Sequence, residues 1–242
     1  MLIMSLACAR DQFTECKKEG KLRGTMIVTK RKPLEEITGF LKGQDKVFIV
    51  GCGECSTTCH TGGEKEVVEM KQYLESQGKK VTGWVIPNAP CIAAQTKTAF
   101  AQNMPALKDT QAILVMSCGL GVQSVKACDR MGLEVLPACD SLFGTLMDAK
   151  GNFHEVCSNC GECVLDKTGC ICPITRCPKG LLNGPCGGVI KGKCEVDRER
   201  DCAWVLIYKE LEKKGQLDKI KELSKPKDYS KTTKPHKMLV NG

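Results

Sequence analysis

The 242-residue sequence predicts an α/β fold: an open parallel sheet with helices, followed by an irregular cysteine-rich domain and C-terminal helices. Three observations predict it. Between Lys46 and Leu136, apolar runs of five or six residues alternate with longer amphipathic ones, the pattern of strands and crossover helices. From about Lys150 to Cys202 that periodicity is lost and Cys, Gly and Pro take over. Eighteen cysteines in a chain of this length mean disulfides, metal, or both.

Residues 1–25 fit no element and are expected to be a flexible extension upstream of a more ordinary beginning at Met26, so that Cys8 and Cys16 carry no function. The α/β domain is expected over 26–149. "PLEEITGFLKG", Pro33 to Gly43, has Pro in its first turn, early acidic residues and a closing Gly, which predicts a helix. Strand and helix then alternate through "KVFIV", "GEKEVVEMKQYLESQG", "KKVTGWVI", "TKTAFAQNMPALK", "QAILVM", "GVQSVKACDRMG" and "LEVLP". That order describes a Rossmann-like or flavodoxin-like sheet covered by helices on both faces.

Residues 150–225 are expected to form the cysteine-rich domain with its C-terminal helices. Its segment "HEVCSNCGECVLDKTGCICPITRCPKGLLNGPCGGVIKGKCEVDRERDC" has too little apolar periodicity to bury a core, so inorganic cross-links must replace one. In "AWVLIYKELEKKG", Trp204, Ile207, Tyr208 and Leu211 fall at i, i+3, i+4 and i+7, an apolar stripe that would cover the cysteine-rich core. A second helix is expected in "QLDKIKELSK", and residues 226–242 read as a solvated basic tail.

The formal charge is +8, from 36 basic and 28 acidic residues, with much of the excess near the C-terminus. Aromatics are only 5% and do not interleave with the basic residues, which argues against nucleic acid as a partner. "MLIMSLACAR" lacks the basic start and the apolar stretch of roughly 7 to 15 residues of a secretory leader. No segment approaches the roughly 20 apolar residues of a membrane helix. A cytoplasmic protein is expected, whose thiols stay reduced unless a metal holds them.

An open parallel sheet places its ligand outside the carboxyl ends of its strands. Cys52, Cys91, Cys118 and Cys139 each follow a predicted strand, so all four lie along one sheet edge. Cys52, Cys55 and Cys59 form C-x2-C-x3-C in a glycine-bearing loop that can wrap three corners of a 4Fe-4S cluster. Cys91, ahead of Cys118, is expected to give the fourth bond. Zinc accepts the same four thiolates and is the alternative at this site, although its usual signature is two C-x2-C pairs.

Cys157, Cys160 and Cys163 make C-x2-C-x2-C, the spacing that opens a ferredoxin-type run, and Cys172-Pro and Cys177-Pro echo its ending. With Cys186, Cys194 and Cys202 they give eight ligands, enough for two 4Fe-4S clusters, and Cys170 is the spare. Chain order does not apportion them. His60, His154 and His236 show no ligand spacing, and "SCGLGVQ" lacks the full dinucleotide-binding fingerprint. No catalytic residue is expected in this chain. Two or three clusters imply a wire for single electrons.

"CPKGLLNGPCGGVIKGKCEVDRERDCAWVLIYKEL", Cys177 to Leu211, resembles the C-terminal domain associated with bacterial methylenetetrahydrofolate reductases, through its N-G-P-C-G-G and C-x-W-x-x-I-Y features. "GCGECSTTCHTGGEKEV" and "ILVMSCGLGVQ" resemble the N-terminal half of the small MetV-type iron-sulfur subunit of that enzyme in acetogens and related anaerobes. The resemblance runs from about Met26 to Gly215. It implies a heteromeric oxidoreductase in which a separate barrel subunit carries FMN and folate and reduces 5,10-methylenetetrahydrofolate to 5-methyltetrahydrofolate in the Wood-Ljungdahl pathway. This chain would pass electrons from a donor protein or subunit toward that flavin. Two other readings compete: a redox-silent zinc-thiolate interaction subunit, and a stand-alone oxidoreductase whose first cluster keeps an open iron.

Overall fold

The computed structural model describes residues 26–238. The expected extension over 1–25, with Cys8 and Cys16, lies outside the described residues. The chain divides into two compact units, one ending at Phe153 and the other beginning at His154.

In the first unit the elements run β1 (Met26–Arg31), α1 (Leu34–Phe40), β2 (Lys46–Val50), α2 (Cys55–Thr58), α3 (Glu64–Ser76), β3 (Lys80–Val85), α4 (Ala93–Gln102), α5 (Met104–Lys108), β4 (Ala112–Val115), α6 (Gly119–Cys128), β5 (Glu134–Pro137), β6 (Cys139–Met147) and β7 (Phe153–His154). The main sheet has the order β3-β2-β4-β5 and is parallel throughout. The fold class is therefore the α/β arrangement that the alternation predicts.

Strand side chains alternate between faces, and here both faces are covered, which is why the strands read as unbroken apolar runs. Val47 and Ile49 pack with Leu114 against Ile37 of α1 and Val67, Met70 and Leu74 of α3. Phe48 and Val50 pack with Ile113 and Val115 against Phe100, Leu107 and Val125 of α4, α5 and α6. Glu66 closes the first turn of α3 by accepting the Gly63 N–H at 3.0 Å.

Two features differ from expectation. "TKTAFAQNMPALK" is not one helix: α4 ends at Gln102 and α5 begins after Asn103, with Pro105 in the first turn of α5, where its missing N–H costs nothing. A second sheet, ordered β1-β6-β7, joins Met26–Arg31 antiparallel to Cys139–Met147. The polar, partly exposed strand β6 carries no alternation that would reveal it.

The second unit has little regular structure: α7 (Pro173–Arg176), α8 (Ala203–Lys213) and two 3-10 turns, Leu217–Ile220 and Tyr229–Thr232. Its apolar core consists of Trp204, Ile207 and Leu211, with Ile171, Leu181, Leu217 and Ile220 packed around them. Tyr208, expected in the same stripe, is exposed instead. It pairs with Glu212 through its hydroxyl at 3.3 Å. The second helix shrinks to the turn at Leu217–Ile220. The basic stretch after it folds back, and Lys227 is buried. Among the described residues no helix is long and apolar enough to cross a membrane.

Candidate metal centres

The register of the parallel sheet places Val50, Val85, Val115 and Pro137 on one rung, so the loops that follow β2, β3, β4 and β5 leave from the same edge. Because β2 lies between β3 and β4, its loop is flanked by both of theirs. Backbone bonds lace them together: the Gly51 N–H donates to Val85 O at 2.8 Å and the Gly53 N–H to Pro87 O at 2.9 Å. Glycine is needed for this approach. A Cβ on Gly53 would stand 3.1 Å from Asn88 Cα, and one on Gly121 would stand 3.2 Å from Pro90 Cγ.

The loop after β3 is thus held between the start of α2 and the start of α6. That brings Cys91 toward Cys52 and Cys55 on one side and Cys118 on the other. The electrostatics agree with this placement. Burial pushes the Cys55 thiol up, the Ile27 backbone opposes it, and the charges of Cys52, Cys118 and Cys91 raise it further. Cys91 is raised by burial and then by Cys118 and Cys52. Cys52 and Cys118 are buried, and Cys91 is exposed at the rim.

Cys59 follows Cys55 by four residues and faces the same Ile27 backbone. Its Sγ donates to Ile27 O at 3.8 Å, and it lines an open basin with Thr29, Lys30, Arg31 and His60. His60 is exposed there, with Nδ1 3.9 Å from Glu66 Oε1. Cys139, at the head of β6, is a buried thiol that donates to Thr61 O at 3.7 Å. Burial pushes it up to about 12, against the Thr61 side-chain hydroxyl, which favours the thiolate. Cys91 is thus coupled electrostatically to both Cys118 and Cys52, which head the flanking loops.

In the second unit Cys177, Cys186, Cys194 and Cys202 line one cavity, walled by Pro178, Leu181, Pro185, Val189 and Trp204. Local backbone ties hold these thiols in place. The Cys194 N–H donates to Arg200 O and the Cys202 N–H to Gly192 O, each at 2.9 Å. Trp204 Nε1 donates to Leu181 O at 2.9 Å, which fixes the indole beside Cys202. Lys179 and Glu195 form an ion pair on the same wall.

Cys157, Cys160 and Cys163 occupy an irregular loop whose Asn159 and Gly161 take left-handed φ of 53° and 74°. The Asn159 N–H points at Cys157 Sγ at 3.5 Å, the kind of amide-to-sulfur bond that stabilises a thiolate. Cys160 Sγ lies 3.6 Å from Glu162 O. Burial would raise this thiol, but the Glu162 backbone and Lys227 outweigh it and leave it lowered. Cys172 Sγ donates to Thr175 Oγ1 at 3.7 Å. Cys170, with φ of 65°, contributes its charge at Lys214.

Among the described residues no three His, Cys, Asp or Glu side chains are drawn close enough together to grip a single metal ion. The donors at all three sites are sulfur alone, a soft set suited to iron-sulfur clusters or zinc and unsuited to magnesium or calcium. The cavity that holds four of them is otherwise largely apolar.

No curated protein and no solved structure matches this chain. Residues 136–230, which include every cysteine of the second unit, match the family model of the methylene-tetrahydrofolate reductase C terminal, and the similarity of this part of the chain is therefore to those reductases.

Proposed function

We propose that this chain is the electron-transfer subunit of a methylenetetrahydrofolate reductase complex, similar to the MetV-type subunit. In this reading a donor protein or subunit delivers electrons, and they leave to the FMN of a separate barrel subunit. That partner reduces 5,10-methylenetetrahydrofolate to 5-methyltetrahydrofolate, the methyl branch of the Wood-Ljungdahl pathway, in the cytoplasm. The observation that carries the reading is the grouping of thiols in a chain whose C-terminal part is similar to these reductases.

Three 4Fe-4S sites follow: Cys52, Cys55, Cys91 and Cys118; Cys157, Cys160 and Cys163 with Cys172; and Cys177, Cys186, Cys194 and Cys202. When bound, such clusters supply one-electron steps without a substrate site of their own. The protein supplies the ligands and what surrounds them. Backbone laces hold the loops at the sheet edge, and apolar walls around Trp204 border Cys177, Cys186, Cys194 and Cys202.

The test is iron, zinc and acid-labile sulfide on the anaerobically purified chain, with visible spectra before and after dithionite. About twelve iron and twelve sulfide with bleaching are expected, and about eight would mean that one site is misassigned. Colourless protein with zinc and no sulfide would replace the wire with a structural zinc-thiolate subunit. With the partner present, changing Cys157, Cys160 and Cys163 to Ser should abolish donor-driven flavin reduction and leave direct chemical reduction of that flavin intact.

A further inference from the structure

The segment after α8 is tied to the cysteine-rich unit at three stations. Lys219 Nζ donates to Asp166 O at 2.9 Å. Asn183 and Ser224 exchange two bonds, Nδ2 to Ser224 O at 2.9 Å and the Ser224 N–H to Oδ1 at 2.8 Å. The last station is Glu162, in the loop between Cys160 and Cys163. The Asp228 N–H donates to Glu162 Oε2 at 2.9 Å and Lys231 Nζ to Oε1 at 3.0 Å. Gly161 takes a left-handed φ of 74°, and a Cβ there would come within 2.9 Å of Lys231 Cβ. Strap and ligand loop are therefore in close packing.

Lys227 is the unusual member of this strap, because it is a lysine only 8% exposed. Burying an ammonium is costly unless something compensates it. Its Nζ donates to the main-chain oxygen of Glu162, the same oxygen that Cys160 Sγ approaches at 3.6 Å. Two groups on one oxygen are neighbours, so a buried positive charge stands beside the Cys160 sulfur. The Glu162 carboxylate is meanwhile taken by the Asp228 N–H and Lys231.

We infer that Lys227 is a positioning residue for charge, which sets the reduction potential of the centre held by the Cys157, Cys160 and Cys163 loop. The inference rests on the iron-sulfur reading above. One electron arriving from the donor makes that centre more negative by one charge, and it leaves again to the flavin. A fixed cation at a ligand sulfur favours the more negative, reduced form, and burial shields it little from the sulfur. An Arg would preserve this effect and an uncharged residue would not.

The experiment is a mediator-controlled redox titration of the full chain, followed by electron paramagnetic resonance, for wild type, Lys227→Met, Lys227→Gln, Lys227→Arg and Lys231→Gln. In the neutral variants at position 227, the reduced-to-oxidised ratio of one centre should fall about tenfold at fixed potential, equivalent to 59 mV for one electron. Lys227→Arg and Lys231→Gln should titrate near wild type. An unchanged ratio in a neutral variant with full iron content would overturn the inference. So would loss of that centre from both neutral variants with retention in Lys227→Arg, since Lys227 would then be a structural support. A wild-type chain without any cluster signal would overturn the iron-sulfur reading itself.

Discussion

Substituting Cys91 separates the four-thiol grouping at the sheet edge from the local triplet Cys52, Cys55 and Cys59. Cys91 is exposed, so Cys91→Ser removes a ligand without placing a new hydroxyl in the core. Cys118 and Cys52 are 5% and 4% exposed, and a serine there adds an unsatisfied-group penalty of about 1–3 kcal/mol that would confuse the result. Cys59 is only partly buried beside Ile27 O, so a serine there keeps its hydroxyl within reach of water. If Cys52, Cys55, Cys91 and Cys118 hold one cluster, Cys91→Ser should lower iron from about twelve to about eight per chain, whereas Cys59→Ser should leave about twelve. The assay is iron and acid-labile sulfide on anaerobically reconstituted protein, with the thermal midpoint of each variant as a check on folding. Loss of four iron in Cys59→Ser, with full content in Cys91→Ser, would refute the grouping.

A Cβ on Gly62 would stand 1.9 Å from Met116 O, so Gly62→Ala must displace the end of β4 or the loop that closes over it. The expected cost is at or above the usual 1–3 kcal/mol of overpacking, read as a lowered thermal midpoint together with iron loss at the sheet-edge site alone. Asp109 is held at about 2 by hydrogen bonds from Lys46 and then Lys80, below an unfolded value near 3.8. Its contribution is therefore complete above about pH 4 and disappears as pH falls toward 2, so urea melts of wild type and Asp109→Asn should differ at pH 5 and converge near pH 2.

The parallel sheet was legible because both its faces are covered, which turns each strand into an apolar run such as "KVFIV" bounded by glycine. The pairing of β1 with β6 was not, because Asp140, Ser141 and Leu142 are exposed and leave no alternation to read. At the sheet edge, chain order named Cys91 and Cys118 as rival ligands. The strand order puts both loops beside the Cys52 loop, because β3 and β4 both border β2. The strap was illegible for another reason. Lys227 and Lys231 bond to Glu162 from 65 and 69 residues away, and nothing in a lysine-rich composition distinguishes such a contact from a solvated tail.

The two units should answer metal removal in opposite ways, because different forces hold them. In the first, Val47, Phe48, Ile49 and Val50 are fully buried between two apolar layers, a core that does not depend on the thiols at its edge. In the second, the buried apolar cluster is Trp204, Ile207 and Leu211, and Trp204 itself lines the cavity of Cys177, Cys186, Cys194 and Cys202. Stripping the metal leaves α8 covering a space whose walls are no longer cross-linked, and so small a core does not hold a chain segment of this length. The chain has two tryptophans, so Trp84→Phe leaves Trp204 as the sole reporter. Oxidative removal of the metal in a chelator should shift its emission to the red and release the amides of α8 to exchange, while those of β2 and β4 stay protected. Continued protection of α8 in metal-free protein would mean that packing, rather than metal, folds the second unit.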